Sequence, residues 1–219
     1  MPSIPARGAA VHRRIPAPPP RPPVLTVRDA LRHGTALLGW RRRNAANFER
    51  SLEDMARFQR GELRWVGQLW MRKVHLGGRV TDLGLVSCRV VTDTGAAFIV
   101  DALQGLVEPE AMRYHAYGTS TAAEAVTNTA LGAELGTQYS PANTRPTGSA
   151  GEQSGQNKVF ETSATVTVSA SAAVTEHGIF STAAAGTGVL LDRSVFAVVN
   201  LAAGESLQTQ YRFTVPAGG

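Results

Sequence analysis

Three groups of residues could carry chemistry. Glu176-His177 sets a carboxylate beside an imidazole, the pairing used for general acid–base work. Neighbours on a strand point to opposite faces, however, so the two side chains would not cooperate there. The expected role is structural: a strand carboxylate, a hydrogen-bonded histidine and a bend at Gly178. A nucleophilic set can be assembled on paper from Ser181, His177 and Asp192, but no strained strand-to-helix turn presents the serine. The third group is basic: Trp40-Arg41-Arg42-Arg43, with Arg13, Arg14 and Arg21 upstream. The planar arginine fork meets carboxylate and phosphate alike, so this cluster is either a partner contact or a solvated helix end. Trp65 and Trp70, with Phe58, are either interface anchors or a small satellite core.

Other chemistries lack their residues. No glycine–lysine loop cradles a phosphate, and no Gly-x-Gly-x-x-Gly joins a strand to a helix. Of the five histidines, no two stand at metal-ligand spacing. Cys88 is the only cysteine, which excludes a disulfide framework and a Cys-rich zinc site. The expectation is therefore a non-enzymatic protein with no cofactor and no metal. No apolar run reaches about 18 residues, so no spanning helix and no membrane partner are expected. The prolines of the first residues would break the helix of a transit peptide, and a secretory apolar stretch is missing from them.

The elements that must position these residues fall into two textures. Eight of the 12 prolines lie in residues 1–23, which reads as extended polyproline II without a core to join. Thr26 and Asp29 can cap a short helix. Asn44 or Asn47 can cap a second running to about Arg60, with Phe48, Leu52, Met55 and Phe58 as its apolar face. Leu63 to Leu76 fits a helix or a strand, and Gly77-Gly78 and Gly84 read as turns. From Leu85 the chain turns β-rich. Leu85 to Val91 reads as a strand, Thr92 caps a helix to about Gln104, and Met112 to Tyr117 is a strand. Residues 136–157 read as a long loop. Val159 to Ser169, Val174 to Phe180, Val189 to Val199 and Ser206 to Val215 follow the two-residue period of half-buried antiparallel strands. The fold expected is mainly β: an antiparallel β-sandwich or jelly-roll-like domain over 85–219 with one or two short helices. An extended Pro/Arg-rich arm with short helices precedes it over 1–84.

Charge follows the same division. Residues 1–84 hold 16 Lys+Arg and 6 Asp+Glu, whereas the whole chain carries a formal net charge of only +5. A basic front segment before a mildly acidic body indicates an acidic or polyanionic partner. Aromatics are not interleaved with the arginines as a single-strand groove needs, so nucleic acid is the less favoured partner.

Val90-Val91-Thr92-Asp93-Thr94-Gly95, Asp101-Ala102-Leu103 and Tyr114-His115-Ala116-Tyr117-Gly118-Thr119 open a series of phrases. Thr129-Ala130-Leu131, Thr144-Arg145-Pro146-Thr147-Gly148, Val174 to Phe180 and Leu190 to Phe196 continue it. Together, over about residues 86–219, the chain resembles a group of tailed-bacteriophage virion proteins: head decoration (cement) proteins or tail and fibre components. The resemblance implies a structural part of the particle and carries over no catalytic residues. With the Pro/Arg arm it yields the expectation of a capsid decoration protein on the virion surface, made in the host bacterial cytoplasm. In that reading the arm clamps the major capsid protein through Arg13, Arg14, Arg21, Trp40, Arg41, Arg42, Arg43, Trp65 and Trp70. The β domain self-associates, as a trimer in the favoured version. The alternatives are a tail, baseplate or fibre subunit and a nucleic-acid-binding protein using the arm.

Overall fold

A computed structural model describes residues 37–60, 65–89 and 91–215. The described residues are mainly β, with eight strands in two antiparallel sheets. The five-stranded sheet has the order β2-β1-β8-β5-β4, built from β1 (Val66–Val74), β2 (Val80–Arg89), β4 (Ser149–Gln153), β5 (Gln156–Thr167) and β8 (Ser206–Thr214). The three-stranded sheet runs β3 (Tyr114–Gly118), β6 (Ala172–Phe180) and β7 (Leu190–Leu201).

The alternation read from the sequence sets the inner faces. Thr162, Ala164 and Val166 of β5 and Leu207, Thr209, Tyr211 and Phe213 of β8 are buried, and Gln208, Gln210 and Arg212 point away. Across the gap they meet Tyr117, Val174, Ile179, Leu191 and Phe196, giving the one large core of a sandwich-like body.

Residues 66–89 are part of this body. The expected boundary at 84/85 falls inside β2, and β1, left open between helix and strand, is a strand between β2 and β8. The reason is apolar: the β1–β2 hairpin carries Leu69, Met71, Leu83 and Val86 into the core. Gly77 and Gly78, both at φ +85°, make its turn as expected. Gly84, expected as a turn, is a positive-φ bulge within β2 instead. Residues 136–157 are not all loop as expected: they hold the polar β4, which forms a hairpin with β5 around Gly155.

The helices close the sandwich. A helix described over residues 37–43 (α1) leads into α2 (Ala45–Gln59), and α3 (Asp93–Leu103) follows β2. Thr92 caps α3 as expected, its hydroxyl accepting from the Gly95 amide at 3.0 Å. Helix α2 docks by a face rotated from the one expected: Met55 and Phe58 are partly buried, with Met55 Sδ accepting from Gln68 of β1, but the other half of the apolar stripe is turned out. Phe48 and Leu52 are 43% and 52% exposed, whereas Asn47 and Ser51 are buried. The cause is the strand edges. Strands β2 and β7 end their sheets with unpaired backbone groups. The Asn44 and Asn47 amides donate to the Val86 carbonyl at 3.2 and 2.6 Å, and Ser51 Oγ accepts from the Cys88 amide at 3.0 Å. On the other sheet Asn44 Oδ1 accepts from the Ala197 amide, and Trp40 Nε1 donates to the Ala197 carbonyl at 2.9 Å. Polar side chains thus stand in for a missing strand and bridge the two edges.

Candidate functional site

The expected contact residues separate. Arg13, Arg14 and Arg21 lie outside the described residues. Trp40 is buried in the chain's own core and bonded to Ala197, so its place as a partner anchor is corrected. Trp65 packs edge-on against Phe213, ring centroids 5.8 Å apart, which makes it an internal contact. Arg41 lies half-buried toward β2, where burial lowers its pKa and Asp82 opposes that shift. Arg42 and Arg43 are exposed.

Of the candidate catalytic residues, all but the partly exposed Ser181 are interior. Glu176, His177 and Asp192 are buried, and His177 pairs with His115 (Nε2 to Nδ1, 3.0 Å) rather than with Ser181 or Asp192. His115 also faces Thr209 and Thr162, at 3.0 and 3.2 Å, so this cluster ties the two sheets together. Burial holds both imidazoles neutral: His115 is lowered to about 3, and His177 lies well below its usual range, pushed further by its neighbour His115. Asp192, bonded to Ser194 at 3.2 Å, is raised by burial to about 7. The Cys88 thiol is pushed up to about 12 by burial and then by Asp192 and Asp54, so it is no nucleophile.

Glu176 has the structural role expected of it, and a larger one than a strand residue has. Its carboxylate accepts from Arg193 Nη2 at 2.8 Å and from the amides of Ser120, Gly132 and Ala133. Arg193 in turn holds the Ala122 carbonyl and the Asn128 side chain. A second buried pair, Arg145–Glu134 at 2.6 Å, binds the Thr182 and Thr187 carbonyls, and the guanidinium lies 3.6 Å over the Phe180 ring. Arg89 forms a third, with Glu124, Asn47 and Ser51. These three arginines fasten the connection between β3 and β4 onto the body. Ala116, Leu131, Phe180 and Leu190 form a small second core beneath it.

The outer face of the five-stranded sheet is different. It holds a groove of about 730 Å³, bounded on one side by the tip of the β4–β5 hairpin. Trp70 lies in its floor, opposite Gln210, which is opposite Ser163 on β5. The Arg212 guanidinium lies 4.7 Å over the Trp70 ring and pairs with Glu161 at 2.7 Å. Arg72 and Asp82 pair at 3.3 Å. Gln210 Nε2 is out of solvent with no hydrogen-bond partner. The groove was visible only as the polar half of the β1 and β8 alternation, with one large aromatic in it; cross-strand register brings the two together.

No family model matches the chain, and no curated protein or solved structure matches it. Among the described residues no helix is long and apolar enough to cross a membrane.

Proposed function

We propose that this protein is a non-enzymatic structural component of a phage virion, a capsid decoration protein that binds the assembled shell through residues 1–36 and displays the β-sandwich outside it. One observation carries the reading. Residues 1–36 hold six arginines and one aspartate, while residues 37–219 hold 16 Lys+Arg and 16 Asp+Glu. The whole formal net charge therefore resides in the segment before a formally neutral body. Many of the body's cations are internal braces, Arg89, Arg145 and Arg193 among them. A charged segment appended to a self-contained fold suits a tether that meets carboxylates on another protein.

Ligands that bind only an assembled shell stabilise it by mass action. In this account Arg13, Arg14 and Arg21 make the shell contacts, with exposed Arg42 and Arg43 at the point where the tether enters the body. The exposed Phe48–Leu52 stripe of α2 supplies the apolar surface for self-association, as a trimer in the favoured arrangement. The phage resemblance supports the same reading. Its phrases include Arg145, Glu176 and Arg193, the residues that fasten the long connection.

The test is a cryo-EM map of purified particles with the chain traced from its first residue. Density on the capsomers with the arginine segment lying on the shell is the expected result. Density at the tail would replace this reading by a tail or fibre subunit. Filter binding to DNA at rising salt separates the remaining possibility. A steep slope that vanishes on deleting residues 1–36 would make nucleic acid the partner of the arm.

A further inference from the structure

The shell binding proposed above makes no use of the groove on the outer face of the five-stranded sheet. We infer that it is a binding site for a neutral polysaccharide chain. Its volume of about 730 Å³ lies within the range of small-molecule sites. Its lining has three properties that together select a sugar.

The first is an aromatic platform. Trp70 is only partly covered, and Arg212 lying over its ring holds it in place before any ligand arrives. Indole surfaces stack on the C–H faces of sugar rings. The second is the type of polar group. Gln208, Gln210, Gln153 and Gln156 supply amides and Ser163 a hydroxyl, groups that both donate and accept, as a polyhydroxyl ligand requires. Gln210 is the sharpest of these, since this partly exposed side chain lines the groove and its Nε2 has no hydrogen-bond partner. The third is electroneutrality. Arg212 is paired with Glu161 and Arg72 with Asp82, so the groove offers a polyanion no net attraction.

Other occupants fit less well. A peptide adding as a strand needs a free sheet edge, whereas this groove crosses side chains over β1, β8 and β5, whose backbones are already paired. The basic segment 1–36 would find no net negative charge there.

The test is affinity electrophoresis of the full-length protein through gels containing dextran, galactomannan or β-1,3-glucan, with heparin and polygalacturonate as anionic counterparts. At least one neutral polymer is expected to retard the protein. Trp70→Ala should weaken that retardation at least tenfold, and Gln210→Leu severalfold, with melting temperatures checked in parallel. If Trp70→Ala does not fold, the double variant Gln208→Ala/Gln210→Ala carries the same expectation. The inference is overturned if no neutral polymer retards the protein, or if retardation survives both the tryptophan and glutamine changes. Retardation by the anionic polymers alone also overturns it, because that places binding on the arginines of residues 1–36.

Discussion

The two sheets present opposite outer faces. On the three-stranded sheet the outer face is covered: the β3–β4 connection lies over Phe180 and Gly178, its arginines are buried, and the Arg193–Glu176 pair is sealed on both sides, at 3% and 0% side-chain exposure. On the five-stranded sheet the outer face is open, and its pairs are partly solvated, Arg212 and Glu161 at 20% and 16%. Similar residues do different work in the two places. A charge pair sealed from water becomes a geometric lock, because neither partner can be removed without stranding the other. A pair at a groove lip chiefly neutralises the surface and positions Trp70. Charge in this chain thus locks one face and is neutralised in pairs on the other.

The largest expected effect comes from breaking the lock. Arg193→Ala leaves Glu176 buried without its cation and should destabilise the fold by about 3–5 kcal/mol in denaturant titration. A loss below about 1 kcal/mol would show that the covered face is not locked by charge.

The polar groups between and beside the sheets respond to pH in two senses. His115 and His177 are neutral when folded, while the unfolded chain takes up protons below about 6.5. Stability should therefore fall with decreasing pH from about 6.5 toward about 3, with a slope approaching 1.4 kcal/mol per pH unit for each histidine, roughly the linkage value. Asp192 acts in the reverse direction. Its folded pKa of about 7 exceeds the ordinary 3.8, so its contribution is full below about pH 4 and is lost as pH rises toward about 7. Asp192→Asn removes this opposing limb and should steepen the rise in stability between pH 4 and 6.5. An unchanged pH profile for that variant would show that Asp192 is charged in the fold.

The smallest effect is expected on the open face. Arg212→Ala should change stability by less than about 1 kcal/mol, because the pair it breaks is partly solvated. A loss comparable to that of Arg193→Ala would erase the distinction between the two faces.

Much of the architecture was legible in the residues. Period-two alternation located β5 to β8 and the inward faces of β5 and β8, whereas β6 and most of β7 are buried on both faces, and Thr92 marked the start of α3. The failures have physical causes. Helix α2 was oriented by hydrophobicity, yet unpaired backbone on two strand edges outweighed Phe48 and Leu52 and drew in Asn44, Asn47 and Ser51. Strand β1 carries Trp and Leu at spacings shared by helix and strand, and only its pairing with β2 and β8 decides between them. Strand β4 is polar because it lies at a sheet edge. The internal locks join residues far apart in sequence, such as Glu134 and Arg145 with the 182–187 turn, and no local pattern announces them. Trp40 and Trp65 looked like anchors because aromatics suit interfaces and cores equally well.

If residues 1–36 bring the formally neutral body to a shell, as proposed, removing them should abolish shell binding and leave the fold of residues 37–215 intact. The direct measurement is co-sedimentation of the full chain and of a chain lacking residues 1–36 with purified phage heads, alongside thermal melts of both. The account predicts nearly equal melting temperatures, saturable binding by the full chain, and at least a tenfold loss of binding in the shortened one. Equal binding by both, or collapse of the shortened chain's melting transition, would contradict it.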